Sequence, residues 1–179
     1  MGIKTTQAAF TLIELMVVVA LVAIFALVGI PSYESLTTTN RMATELNGLL
    51  ADIQYARSEA IMRGVNVTVC GGSNSTTGSG PALTCNQSTW NSGWIVTSSP
   101  SSSAGVIRVH EAISPNDQFS STITGSGAQL VRITFDRNGF TNNAGTIELN
   151  DQSNNVSYRR CLKISMVGRV ALLKGNSCP

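Results

Sequence analysis

Residues 10–30 read FTLIELMVVVALVAIFALVGI, a run of 21 residues whose only charge is Glu14. A bilayer core about 30 Å thick is crossed by about 20 helical residues, so the run has the length of a membrane span. A secretory signal core is shorter and ends in a small-x-small cleavage site, and none follows Ile30. Lys4 precedes the run and the next basic residue is Arg41. By the bias of Lys and Arg toward the cytoplasm, the first residues stay inside and the bulk of the chain lies outside.

Glu14 is the anomaly in this run. A carboxylate inside an apolar helix costs about 2–3 kcal/mol on insertion scales, and such residues usually have a task. Cleavage between Ala9 and Phe10 would create an amine one helical turn before Glu14, able to pair with it in the same chain or a neighbour. Aliphatic side chains gain little by leaving lipid for a helix bundle, since lipid is equally apolar. A carboxylate meeting an ammonium gains much more, so the charge would drive extraction into an assembly and set its register.

The stretch Ala9-Phe10-Thr11-Leu12-Ile13-Glu14-Leu15-Met16-Val17-Val18 resembles the class III signal of type IV pilins and type II secretion pseudopilins. The resemblance implies that a prepilin peptidase removes residues 1–9, that Phe10 is then N-methylated, and that Glu14 governs assembly. Pro31 falls where these proteins carry a helix-kinking proline. The family usually has Gly before the cut; Ala9 is small enough to be accepted, with slower processing expected.

Beyond the span, Leu46, Leu49, Leu50, Ile53, Ala56 and Ala60 recur at spacings of three and four, the mark of one buried helical face. Gly64 is a natural stop. Residues 10–30 and 31–63 are therefore expected to form one long helix bent near Gly29 and Pro31. Residues 64–179 alternate strand-like and turn-rich segments. Strands are expected at 66–70, 94–97, 106–110, 129–135, 146–150, 160–165 and 169–173, with loops at 71–80, 98–105 and 137–144. The fold class is α+β, a long N-terminal helix packed on antiparallel sheet.

Four short segments narrow the resemblance to the GspH/FimT group of minor pilins and pseudopilins. They are Ala56-Arg57-Ser58-Glu59-Ala60, Ser92-Gly93-Trp94-Ile95-Val96, Phe135-Asp136-Arg137-Asn138-Gly139 and Gly168-Arg169-Val170, in the group's order. The group implies a two-sheet β domain on the pilin helix and a low-copy place near a filament tip.

The composition fits an extracytoplasmic subunit. Charged residues make up 12% of the 179 positions, half the usual share of roughly 25%. Four cysteines suit two disulfides in an oxidising compartment. Of the three connectivities, the local pairs Cys70–Cys85 and Cys161–Cys178 are expected, each closing a loop worth roughly 3 kcal/mol in the chain-entropy model. One histidine and no close CxxC argue against zinc or redox chemistry, and no serine sits in a Gly-x-Ser-x-Gly elbow. The chain is thus read as a non-enzyme without cofactor or metal, with His110, Trp90 and Trp94 in structural roles.

Charge is unevenly placed. Residues 151–179 hold Arg159, Arg160, Lys163, Arg169 and Lys174 against one acid, whereas residues 32–150 hold six basic and eight acidic residues. Such asymmetry can mark phosphate contacts, and some FimT-like members resemble DNA receptors with a Gly-Arg-x-Arg ending. Here the segment is Gly168-Arg169-Val170-Ala171, lacking the second arginine. The sequence reads as a minor pilin or pseudopilin of the bacterial inner membrane, single-pass with a periplasmic domain. Its partners would be other pilins, the prepilin peptidase and the membrane. The alternative is a DNA-binding tip subunit with those five basic residues on the phosphates.

Overall fold

The computed structural model describes residues 10–72, 85 and 89–178, with the side chains of residues 28, 29 and 31 left aside. Ala9 and most of the 71–80 loop therefore lie outside the described residues. The chain divides into two units, Met1–Thr39 and Asn40–Pro179. One helix, α1 (Leu12–Arg63), runs through both. In the first unit its apolar side chains, from Leu12 and Ile13 to Phe25 and Leu27, are exposed. That part is long and apolar enough to cross a membrane.

In the second unit α1 buries the stripe read from the sequence. Leu46, Leu49, Ile53, Ala56 and Ala60 are wholly buried, joined by Met42, with Leu50 half-buried. The helix stops at Gly64, whose N–H donates to the Ala60 carbonyl at 3.0 Å with φ at +66°, the left-handed cap glycine favours.

Eight strands follow: β1 (Val67–Gly71), β2 (Trp94–Thr97), β3 (Val106–His110), β4 (Asp117–Ile123), β5 (Arg132–Phe135), β6 (Gly145–Asp151), β7 (Arg160–Ile164) and β8 (Val170–Lys174). They form two four-stranded sheets, β3-β2-β1-β5 and β4-β6-β7-β8, with every pairing antiparallel. Helical residues from Met42 to Ala60 and the inward residues of both sheets share one core, including Val69, Trp94, Ile133, Phe135, Ile147, Leu149 and Leu162.

Seven strands match the expected ones to within a few residues, and β4 was not expected. Its inward positions are Asp117, Phe119, Ser121 and Ile123, so apolar and polar residues alternate along the inward face and the period of two is hidden. Asp117 is buried because Arg41 clamps it with both nitrogens of a fork, at 2.7 and 2.9 Å. Both disulfides link the local pairs, Cys70 to Cys85 and Cys161 to Cys178. Each ties a loop or the C-terminal segment to an inner strand of its sheet.

Candidate functional site

At the start of α1, Thr11 caps the helix. Its hydroxyl accepts the Glu14 N–H at 3.3 Å and its carbonyl accepts the Leu15 N–H at 3.2 Å. Threonine at this position satisfies amide groups that have no partner inside the helix. Glu14 sits in the first turn, where the helix dipole favours a negative charge. Phe10 and Glu14 thus stand one turn apart at the head of an apolar, uncovered helix.

In the second unit three of the segments that carry the group resemblance meet in space. Arg57 donates from Nε to the Gly139 carbonyl at 3.1 Å and from Nη2 to the Val167 carbonyl at 3.2 Å. One helix side chain therefore ties down two turns, 136–141 and 165–169. The turns also touch each other, the Thr141 N–H donating to the Met166 carbonyl at 2.9 Å. Gly168 has φ +74°, and a Cβ there would collide with the Gly139 carbonyl oxygen and crowd Arg57. Three of the four group segments therefore serve one structural knot.

The fourth segment supplies Trp94, which is fully buried. Its Nε1 donates to Asp52 Oδ2 at 2.8 Å, and its ring stacks on His110 with centroids 4.0 Å apart. His110 Nδ1 lies 3.1 Å from the same Asp52 oxygen, and Arg108 Nη1 lies 3.1 Å from the other. Trp90 donates to the Leu130 carbonyl at 2.8 Å and is also buried. Neither indole is open to a ligand, and His110 braces β3 against the helix. Sequence reasoning missed Asp52, although a carboxylate set among Leu49, Ile53 and Ala56 in the apolar stripe was a usable signal.

A second acid, Glu45, accepts the Ser114 N–H at 2.9 Å through Oε1, while its Oε2 is buried without a hydrogen-bond partner. Burial pushes its pKa up to about 7, with the neighbouring Asp117 adding to the rise and the Ser114 N–H and Arg41 opposing it. A carboxyl whose folded pKa lies above its ordinary 4.5 stabilises the fold fully below that value. The contribution is lost as pH climbs through the folded pKa. Thermal stability of the full chain in detergent should therefore fall between about pH 5 and pH 8. Glu45→Gln, neutral and of the same shape, should flatten that fall in a melting series.

The five basic residues do not form one patch. Arg159 donates to Asn150 Oδ1 at 2.8 Å and lies 3.1 Å from Glu148 Oε1. Arg160 faces Lys174 across β7 and β8, on the strand face that also carries Leu162 and Leu172. Lys163 pairs in register with Ala171 on the opposite, outward face. Arg169 lines the same groove as Lys163 at the end of that sheet. The five thus divide into Arg160 with Lys174 on one face, Lys163 with Arg169 at the groove, and Arg159 held by Glu148 and Asn150.

The family model of type II transport protein GspH matches residues 45–168, more than half of the chain. The chain belongs to this family. The prokaryotic N-terminal methylation motif matches residues 4–30, covering Ala9, Phe10 and Glu14. Solved structures of similar fold include the type IV minor pilin FimU of Pseudomonas aeruginosa. It is 20% identical over 82% of this chain and 96% of that one, with a TM-score of 0.57. The minor pseudopilin EpsH from the Type 2 Secretion System of Vibrio cholerae is 10% identical over 76% and 98%, with a TM-score of 0.53. No curated protein matches the chain in sequence. The family is one of structural pilins and pseudopilins, and the methylation motif with its apolar helix fits a membrane-anchored member of a pilus or pseudopilus.

Proposed function

We propose that the chain is a minor pilin or minor pseudopilin that initiates or caps assembly of a type IV pilus or type II secretion pseudopilus. A prepilin peptidase removes residues 1–9, and Phe10 is methylated. The chain waits in the bacterial inner membrane as a single-pass protein with a periplasmic domain, until Glu14 draws it into the filament. Pro31 shapes the exit from the filament core. The observation that carries this reading is the methylation motif over residues 4–30, set on an uncovered apolar helix with one carboxylate in its first turn.

The test has two parts. Mass spectrometry of the chain extracted from competent membranes should find a methylated Phe10 as the first residue, and an intact Met1 would defeat the reading. Glu14→Ala should insert at least as well, since a costly group has gone, by about 2–3 kcal/mol on insertion scales. Its incorporation into sheared filaments should nevertheless drop severalfold; unchanged incorporation would show that the charge has no part in assembly.

A further inference from the structure

The outward face of β4-β6-β7-β8 is polar along most of its length, with Gln118, Ser120, Thr122, Thr146 and Glu148 in register across β4 and β6. At one end it changes character. A groove of about 480 Å³ opens there on Ile164, Met166, Ala144 and Ala171, with Lys163 and Arg169 among its lining residues. Met166 is 64% exposed and the neighbouring Val167 55%. Among the described residues no ion pair engages Lys163 or Arg169. The groove lies against β8, an edge strand of its sheet.

Here two cations border an apolar floor, on a face whose β4 and β6 positions are polar. The geometry points to this groove as a docking site for a polypeptide segment of a neighbouring filament subunit, one presenting carboxylates beside apolar side chains. The inference rests on the filament reading above. Arg169 offers a planar fork for a carboxylate and Lys163 a compact charge. The apolar residue between the carboxylates covers Met166 and Ala171.

Nucleic acid fits less well. A phosphate chain is held by a row of cations, each releasing counterions. Arg159 is engaged by Glu148 and Asn150, and Arg160 and Lys174 lie on the other face of the sheet. Both tryptophans are buried, which removes them as platforms for bases. Two cations over an apolar floor suit discrete carboxylates better.

The test places a photo-reactive phenylalanine analogue at Ala171 of the full chain, expressed in its own host, and recovers sheared filaments after illumination. Mass spectrometry should join position 171 to a segment of another filament subunit with Asp or Glu beside an apolar residue. Lys163→Glu with Arg169→Glu should cut that adduct about tenfold relative to the amount of chain in the filament, as expected for charges facing opposite charges. Where charge reversal itself keeps the chain out of filaments, the Gln pair at the same positions makes the comparison. An adduct on a segment without carboxylates, an adduct indifferent to the charge changes, or no adduct from an incorporated chain overturns the proposal and leaves the filament reading intact. Absence of the unmutated chain from filaments overturns both. A fluorescent DNA duplex titrated against the full chain in detergent is the remaining arm. Submicromolar binding at physiological salt, lost in the double variant, would assign the groove to nucleic acid instead.

Discussion

Replacing Asp52 with alanine is expected to lower the stability of the full chain in detergent by about 2–3 kcal/mol, less than the roughly 3–5 kcal/mol typical of a broken buried ion pair. The discount follows from exposure. Arg108 and His110 have side chains 54% and 39% exposed, so both can turn to water when the carboxylate goes. Trp94 cannot, being fully buried. Its Nε1 loses its acceptor, which costs about 1–3 kcal/mol, and the vacated volume adds to that. The melting temperature should fall by about 8 °C, at roughly 3 °C per kcal/mol for a domain of this size. Asp52→Asn keeps an acceptor for the indole and should cost about 1 kcal/mol. Equal losses from the two variants would show that charge, and not the indole's acceptor, dominates the site.

Gly168→Ala is expected to cost about 3–4 kcal/mol. The left-handed backbone at φ +74° accounts for about 1–2 kcal/mol with any Cβ. The collision with the Gly139 carbonyl supplies the rest, because that oxygen is also the acceptor of Arg57 Nε. Gly64→Ala is the internal control. Its φ is +66° but no atom lies within 4 Å of the added carbon, so only the backbone cost of about 1–2 kcal/mol applies. Urea unfolding of both variants should separate them by about 2 kcal/mol. Similar losses would mean that the turns yield and the knot around Arg57 is slack.

Much of this architecture could be read from the chain alone, for identifiable reasons. The α1 stripe and seven strands announced themselves because their inward positions are apolar at the right period. β4 did not, since a clamped aspartate and a serine occupy inward positions. The same rule hid Glu45 and Asp52: charges on a helix ordinarily mean a solvated face, and only three-dimensional neighbours show that Asp52 is buried and that one oxygen of the half-buried Glu45 is too. The motif segments were recognisable as a resemblance, yet nothing in their spelling states that Arg57 reaches two turns at once. The basic tail misled by counting. Five cations in 29 residues suggested a patch, but strand parity divides them between faces and Glu148 occupies one.

The two carbonyls that hold Arg57 lie 82 and 110 residues later in the chain. During synthesis at about 5–20 residues per second, the amphipathic part of α1 therefore exists for on the order of ten seconds before its last lock can form. Through that interval Leu46, Leu49 and Ile53 are an unshielded hydrophobic strip. The carboxylates of Asp52 and Glu59, both buried in the finished fold, are planted in or beside that strip. Until the strip is covered these two carboxylates interrupt it with charge, the device gatekeeper residues use beside aggregation-prone segments; in the finished fold they anchor Trp94 and Arg63.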